Sequence, residues 1–303
     1  MVAIACSRGT SGQDPPPPTP PPAAATDAPV EPAAGGTDLG DCTRVTFAAS
    51  VPVAEASGAV FLADGTILVV SDSGNDGAYV VIDAGDGHVV ASGQLPLGAS
   101  DGASRADDIE GLSRVGTKIW GLTSSGWVRA WERRADGPGF TLVVPAYRID
   151  DEDACAVDTV NCGNNYEGLC LAPTAAAAAA LGGCVGYAAS KATGDLVCLV
   201  ADGDRWRADP ARRLHVSNPE ALADCDVAAD GTIWTGDNLF GRNAVHRIAG
   251  GAIVATGHLG EGFPEVITVG PDGRIYRFSD MGGAPSRVAV HDCAKRAQGG
   301  GGR

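Results

Sequence analysis

The chain has 303 residues, enough for one large domain or two modest ones. Its 43 glycines against two methionines point to many turns rather than long helices. A formal charge of −15, from 37 acidic and 22 basic residues, excludes nucleic acid as an expected partner and suits cations or basic surfaces instead.

The N-terminus reads as an export and anchoring region. The apolar stretch Val2–Ala5 ends at Cys6 and resembles a bacterial lipobox, in which the cysteine carries lipid. Only five residues precede Cys6, so the usual basic and hydrophobic regions are not there. The plain alternative is a chance cysteine near a terminus. The proline- and alanine-rich run Gln13–Asp38 favours lipidation, because it cannot bury a core and reads as an extended tether. The expected organisation is a signal remnant over 1–6, a disordered tether over 7–41, a folded domain over 42–293 and a disordered tail over 294–303. A monomeric outer-membrane lipoprotein, periplasmic or surface-exposed, is the expected setting. No other stretch spans a bilayer, since Pro173–Gly183 is too short and too weakly apolar.

Beyond Cys6 there are eight cysteines: Cys42, Cys155, Cys162, Cys170, Cys184, Cys198, Cys225 and Cys293. An even set in an exported protein implies disulfides, and no C-x-x-C spacing argues for zinc. Two pairings have reasons. Cys42 and Cys293 flank the folded region, and Cys155 and Cys162 bracket one acidic loop.

The folded region repeats itself. Units begin at Ser57, Glu110, Glu167, Glu220 and Glu265, so successive starts lie 53, 57, 53 and 45 residues apart. Each opens with a short apolar strand, passes through a turn such as Asp64-Gly65, Asp230-Gly231 or Asp272-Gly273, and runs into a second strand. Third and fourth strands follow, Ala78–Ala84 and His88–Leu95 in the first unit, Trp127–Arg133 and Phe140–Tyr147 in the second. A period near fifty filled by short strands is the signature of an all-β propeller of four-stranded antiparallel blades. The count is five, with cramped room for a sixth in Tyr147–Asn161. The last unit supplies three strands, so Thr43–Ser50 is expected to close the ring, clamped by Cys42–Cys293. A β-sandwich also gives short strands but does not explain the period.

Innermost strands line the channel, which brings their opening carboxylates together: Glu110, Glu167, Glu220 and Glu265, with Asp107 and Asp108 just before the first. Second-strand ends add Asp72, Asp237, Asn238 and Asp280, with Ser124 and Lys191 in the corresponding places. Converging carboxylates repel unless a cation or raised pKa values relieve them. Asp72, Glu110, Glu167, Glu220, Glu265 and Asp280 are therefore the expected metal ligands, and an oxygen-only set suits Ca²⁺ better than Mg²⁺. The alternative for the repeated glutamates is architectural, accepting N–H bonds from a neighbouring blade. Departures from the repeat point to ligand binding at the channel mouth: Asn164, Asn165, Tyr166, Glu167 and Lys191, with Asp237 and Asn238. Nucleophilic catalysis has no motif behind it, since neither G-x-S-x-G nor H-E-x-x-H occurs. Asp72–Asp83 has partial calcium-loop spacing but reads better as a blade turn.

The stretches Glu55–Gly74, Asp107–Gly126, Asn164–Pro173 and Phe263–Asp280 resemble the bacterial SdiA-regulated and esterase-like phytase propellers, which carry S-G-L or E-G-L at blade starts and a strand-end acid. The resemblance covers roughly Arg44 to Val290. It implies a channel that holds Ca²⁺ and, in some members, phosphoesterase activity. On this chain the blade-start glutamates match at Glu110, Glu167, Glu220 and Glu265, and the strand-end acid at Asp72, Asp237 and Asp280. There are only three lysines, Lys118, Lys191 and Lys295, so phosphate binding would fall to arginines such as Arg105, Arg242 and Arg274, or to bound Ca²⁺. Two functions follow: a non-catalytic, envelope-tethered propeller binding a ligand or protein at the channel face, or a Ca²⁺-dependent phosphoesterase or esterase at the channel mouth.

Overall fold

The computed structural model describes residues 37–98, 108–150, 155, 160–238 and 243–293. Cys6, nearly all of the tether, Arg105, Asp107, Arg242, Lys295, most of the acidic loop and the tail from 294 lie outside the described residues.

Five antiparallel sheets follow one another along the chain. Blade 1 is Ala56–Phe61, Ile67–Ser71, Ala78–Ile82 and Val89–Gln94. Blade 2 is Ile109–Val115, Lys118–Thr123, Trp127–Arg133 and Phe140–Arg148. Blade 3 is Tyr166–Leu171, Gly186–Ser190, Asp195–Asp202 and Arg205–His215. Blade 4 is Leu222–Val227, Ile233–Asp237, Ala244–Ala249 and Ala252–His258. Blade 5 is Phe263–Val269, Arg274–Asp280 and Pro285–Asp292. The first strand of each blade touches that of the next, and the fifth touches the first, which closes a five-bladed propeller. No sixth sheet occurs among the described residues.

The repeated Asp-Gly turn has a local cause. Asp64 Oδ1 accepts from the Thr66 N–H and hydroxyl, Asp230 Oδ1 from the Thr232 N–H, and Asp272 Oδ1 from the Arg274 N–H. Gly65, Gly231 and Gly273 then sit at φ 85°, 83° and 80°, which glycine adopts without Cβ strain. Blade 3 replaces this hairpin with the helix Ala175–Ala180, whose Thr174 cap accepts the Ala177 N–H.

The core is five apolar clusters, one at each blade interface. Each sheet is apolar on both faces and gains stability only by stacking. Blades 5 and 1 share Val51, Ile67, Val80, Val266 and Phe278. Blades 1 and 2 share Leu68, Val70, Ile119 and Trp131.

The chain closes on itself as the sequence suggests, with two extensions. Thr43–Arg44 and Ser50–Ala54 both pair with Pro285–Asp292, so the closing strand comes in two pieces and runs past Ser50. Cys42 and Cys293 are disulfide-bonded beside it, and Cys155 bonds to Cys162. The remaining pairs are Cys184–Cys198 within blade 3 and Cys170–Cys225 between the innermost strands of blades 3 and 4. Structure also begins before the expected boundary at Cys42. Thr37–Asp38 adds a parallel strand outside Ala255–Thr256, and Leu39 packs into the blade 4–5 interface with Trp234 and Val245.

Candidate functional site: an acidic channel mouth

Every innermost strand carries one β-bulge near its start. The register breaks between Ala56 and Gly58, Ile109 and Gly111, Tyr166 and Gly168, Leu222 and Asp224, and Pro264 and Val266. The five bulged residues are thus Ser57, Glu110, Glu167, Ala223 and Glu265. A bulge leaves its residue unpaired and re-aims its side chain. The same registers align the residue that follows the bulge's partner on each second strand: Asp72, Ser124, Lys191, Asn238 and Asp280. These two rings form the mouth.

Three carboxylates meet in it. One oxygen each from Asp72, Asp108 and Glu110 lies within 4.8 Å of the others. Asp108 is 2% exposed and accepts both the Ser124 N–H and its hydroxyl. Glu167 faces Lys191, whose Nζ is 3.1 Å from Glu167 Oε2, and Glu265 Oε1 accepts the Asn238 side-chain N–H at 2.7 Å.

Burial dominates the electrostatics. It pushes Glu110 well above the usual carboxylate range, and the charges of Glu167, Asp72, Asp108 and Glu265 push the same way. Glu167 is pushed up to about 8 by burial, despite the opposing Lys191 ammonium, with Glu265 and Asp72 adding to the rise. Glu265 rises to about 7, again through burial against Lys191. Asp72 is raised by burial and by neighbouring acids, although the Ser73 N–H opposes it. Burial alone would lower the Lys191 ammonium, yet Glu167 and Glu265 outweigh it and hold the group charged. Among the described residues, Lys191 is the cation set against these carboxylates, which leaves this part of the mouth short of positive charge.

The structure redistributes the residues singled out in the sequence. Glu220 does not join the ring. It is exposed, at φ 67°, and its N–H donates to the Lys191 carbonyl, while Ala223 holds the bulge three residues later. Asp237 also lies elsewhere. It pairs with Leu222, the place held by Ser71, Ser190 and Ser279 in blades 1, 3 and 5. Those hydroxyls donate to the Ala54, Asn164 and Glu261 carbonyls, whereas Asp237 points at His246, 3.6 Å away. The Asn164–Lys191 group divides in two. Glu167 and Lys191 belong to the mouth, but Asn164 and Tyr166 turn into the blade 2–3 cleft, where both donate to Asp150. Asn165 serves its backbone, at φ 44° with its carbonyl accepting the Lys191 N–H. Asp108, two residues before Glu110, is one of the three converging acids.

The architectural role expected of the glutamates falls to other residues. Asp224 accepts the Ile267 N–H and Asp226 the Val269 N–H, each reaching from blade 4 to blade 5. Ser57 donates to the Ile109 carbonyl, and Ser113 accepts the Leu171 N–H. The second acidic cluster, Asp83, Asp86 and His88, is a hairpin turn in which Asp86 Oδ1 accepts the His88 N–H.

No family model and no curated protein matches this chain. Among solved structures it is similar to regucalcin, a calcium-binding protein of Agrobacterium tumefaciens strain C58, with 13% identity over 82% of this chain and 96% of that one and a TM-score of 0.46. It is similar to virginiamycin B lyase of Staphylococcus aureus, with 12% identity over 82% and 73% of the two chains and a TM-score of 0.40. It is also similar to BamB of Moraxella catarrhalis, with 18% identity over 81% of this chain and a TM-score of 0.38, and spans 62% of that protein's length. At these identities the likeness is one of fold. No family match carries the narrower resemblance to the SdiA-regulated and phytase-like propellers.

Proposed function

We propose that the protein is a binding propeller of the cell envelope whose acidic mouth takes up a divalent cation and, around it, a ligand or protein partner. The observation that carries this reading is the convergence of Asp72, Asp108 and Glu110 within 4.8 Å beside Glu167 and Glu265. The donor set is all oxygen and tightly charged, which fits Ca²⁺. Bound there, the ion would neutralise the repulsion and offer open positions to an anionic group. Phe263, 50% exposed beside Asp280 at the same mouth, supplies an apolar contact for a partner. Four disulfides support an oxidising compartment, and lipidation at Cys6 would tether the domain there.

The second reading, a Ca²⁺-dependent hydrolase of the phytase-like kind, is favoured by Glu167 at about 8 and Glu265 at about 7, values suited to proton transfer near neutral pH. Calcium calorimetry on the chain, with p-nitrophenyl phosphate turnover measured in parallel, separates the two. Binding that Glu110→Gln weakens at least tenfold, without turnover, supports the binding propeller. Calcium-dependent turnover lost in Glu167→Gln moves the assignment to the hydrolase. Absence of calcium binding overturns both.

A further inference from the structure

The propeller has a second chamber, at the other end of its axis. The innermost strands run from the acidic mouth to a cavity of about 600 Å³, walled by residues of all five blades. From the bulges to this chamber is three or four residues, roughly 10–13 Å at a strand's rise. A chamber of this volume holds a small organic molecule.

Its lining carries both signs of charge, unlike the mouth's crowd of carboxylates. Two guanidinium groups line it, Arg114 from blade 2 and Arg247 from blade 4. Arg114 donates from Nε to the Phe61 carbonyl at 2.7 Å and from Nη1 to the Gly116 carbonyl at 3.0 Å, so it is held in place without a carboxylate. Arg247 is partly buried, and its side chain has neither a hydrogen bond nor an ion pair among the described residues. Of the two carboxylates that line the chamber, Asp226 is already occupied by the N–H groups of Val227 and Val269 and the Thr268 hydroxyl, and the exposed Asp230 accepts the Thr232 N–H. Elsewhere Arg133, Arg148 and Arg213 each pair with an aspartate. The Arg247 N–H donors are thus available to a bound anion, in a fork that matches an oxyanion. Apolar wall is supplied by Val60, Leu171, Val227 and Trp234, beside the hydroxyls of Ser113, Thr232 and Thr268.

We infer that this chamber is a binding site for a small organic oxyanion with an apolar body, anchored by Arg247 and assisted by Arg114. The oxyanion head takes the fork of N–H donors on Arg247, and the body lies against Leu171 and Trp234. The site is independent of the acidic mouth and needs no metal.

The test uses 8-anilinonaphthalene-1-sulfonate, an apolar fluorophore carrying one oxyanion, against N-phenyl-1-naphthylamine, the same body without the sulfonate. Fluorescence titration is expected to give one sulfonate-probe site per chain, with at least tenfold weaker binding in Arg247→Met and in Arg247→Glu, and at least tenfold weaker binding of the uncharged probe. Arg212→Met, in a separate cleft between blades 3 and 4, is expected to leave affinity within twofold. Unchanged melting temperature in Arg247→Met shows that the fold survives; if that variant unfolds, Arg114→Met with the two-probe comparison decides. No binding of the sulfonate probe, equal binding of the two probes, or loss in Arg212→Met but not in the Arg247 variants overturns the assignment.

Discussion

Lys191 is the residue on which the mouth's charge balance turns. Its ammonium sits 3.1 Å from Glu167 in a site where burial already drives carboxylates toward the neutral form. A divalent ion entering beside Asp72, Asp108 and Glu110 must share the space with that charge. Lys191→Met removes the competitor and frees Glu167 as a further oxygen donor. Calcium affinity is therefore expected to rise by roughly tenfold, about 1.4 kcal/mol, in calorimetry. Without calcium at pH 8, the same variant is expected to melt lower, because Glu167 loses the ammonium that favours its ionised form. Weaker calcium binding in Lys191→Met would mean that the cation sits away from Glu167. The sequence already marked Lys191 as a departure from the repeat, and a departure is visible without a structure. The misplacement of Glu220 and Asp237 has a different origin. Side-chain direction is set by a bulge that leaves no mark in the letters of the repeat. In Glu220–Val227 the glutamate stands three residues before the bulge, and Ala223 carries no chemistry to betray it.

At the level of elements, the bulges bring adjacent innermost strands so close that some positions admit only glycine. A Cβ at Gly111 would lie 2.3 Å from the Leu169 backbone nitrogen, and one at Gly168 would lie 2.8 Å from the Cys225 nitrogen. Backbone of a neighbouring blade cannot yield as a side-chain tip can. Gly111→Ala is expected to cost about 3 kcal/mol in denaturant unfolding, while Gly137→Ala, with nothing within 4 Å, is expected to change little. An equal, small effect of both would contradict the close approach of blades 2 and 3. The neighbouring interface, between blades 3 and 4, is stapled by Cys170–Cys225, which closes a 55-residue separation. Replacing both cysteines with alanine is expected to cost about 4 kcal/mol on loop-entropy grounds. The glycine of each E-G-L was legible as part of a repeat, but its reason was not, because contact between blades is made by residues more than fifty positions apart. The Asp-Gly turns were legible with their reason, since the whole device fits within five residues. The strand Thr37–Asp38 was hidden by composition: it lies in a proline- and alanine-rich run and owes its place to pairing with Ala255–Thr256, not to its own pattern.

On the scale of the whole molecule, the folded protein holds protons that the unfolded chain releases. Burial raises Glu110, brings Glu167 to about 8, Glu265 to about 7 and, beside the second chamber, Asp226 to about 6. An unfolded carboxylate titrates near 4. Between about pH 4.5 and 8 the native state therefore binds more protons than the unfolded one, and stability falls as pH rises. The contribution of these groups is complete below the unfolded value and is lost in steps, through about 6 for Asp226, 7 for Glu265 and 8 for Glu167. Each group adds at most about 1.4 kcal/mol per pH unit while it titrates. In chelator, the melting temperature is accordingly expected to fall from pH 5.5 to pH 8.5, opposite to a protein held by salt-bridged acids. Calcium should reverse much of that loss at pH 8, because it binds the ionised mouth and stabilises the native state by mass action. It should do less at pH 5.5, where protons already fill the site. Differential scanning calorimetry across pH, with and without calcium, reads both effects together. A melting temperature that climbs with pH in chelator would contradict the raised carboxylates, whereas a pH-driven fall that calcium leaves untouched would move the cation away from the mouth.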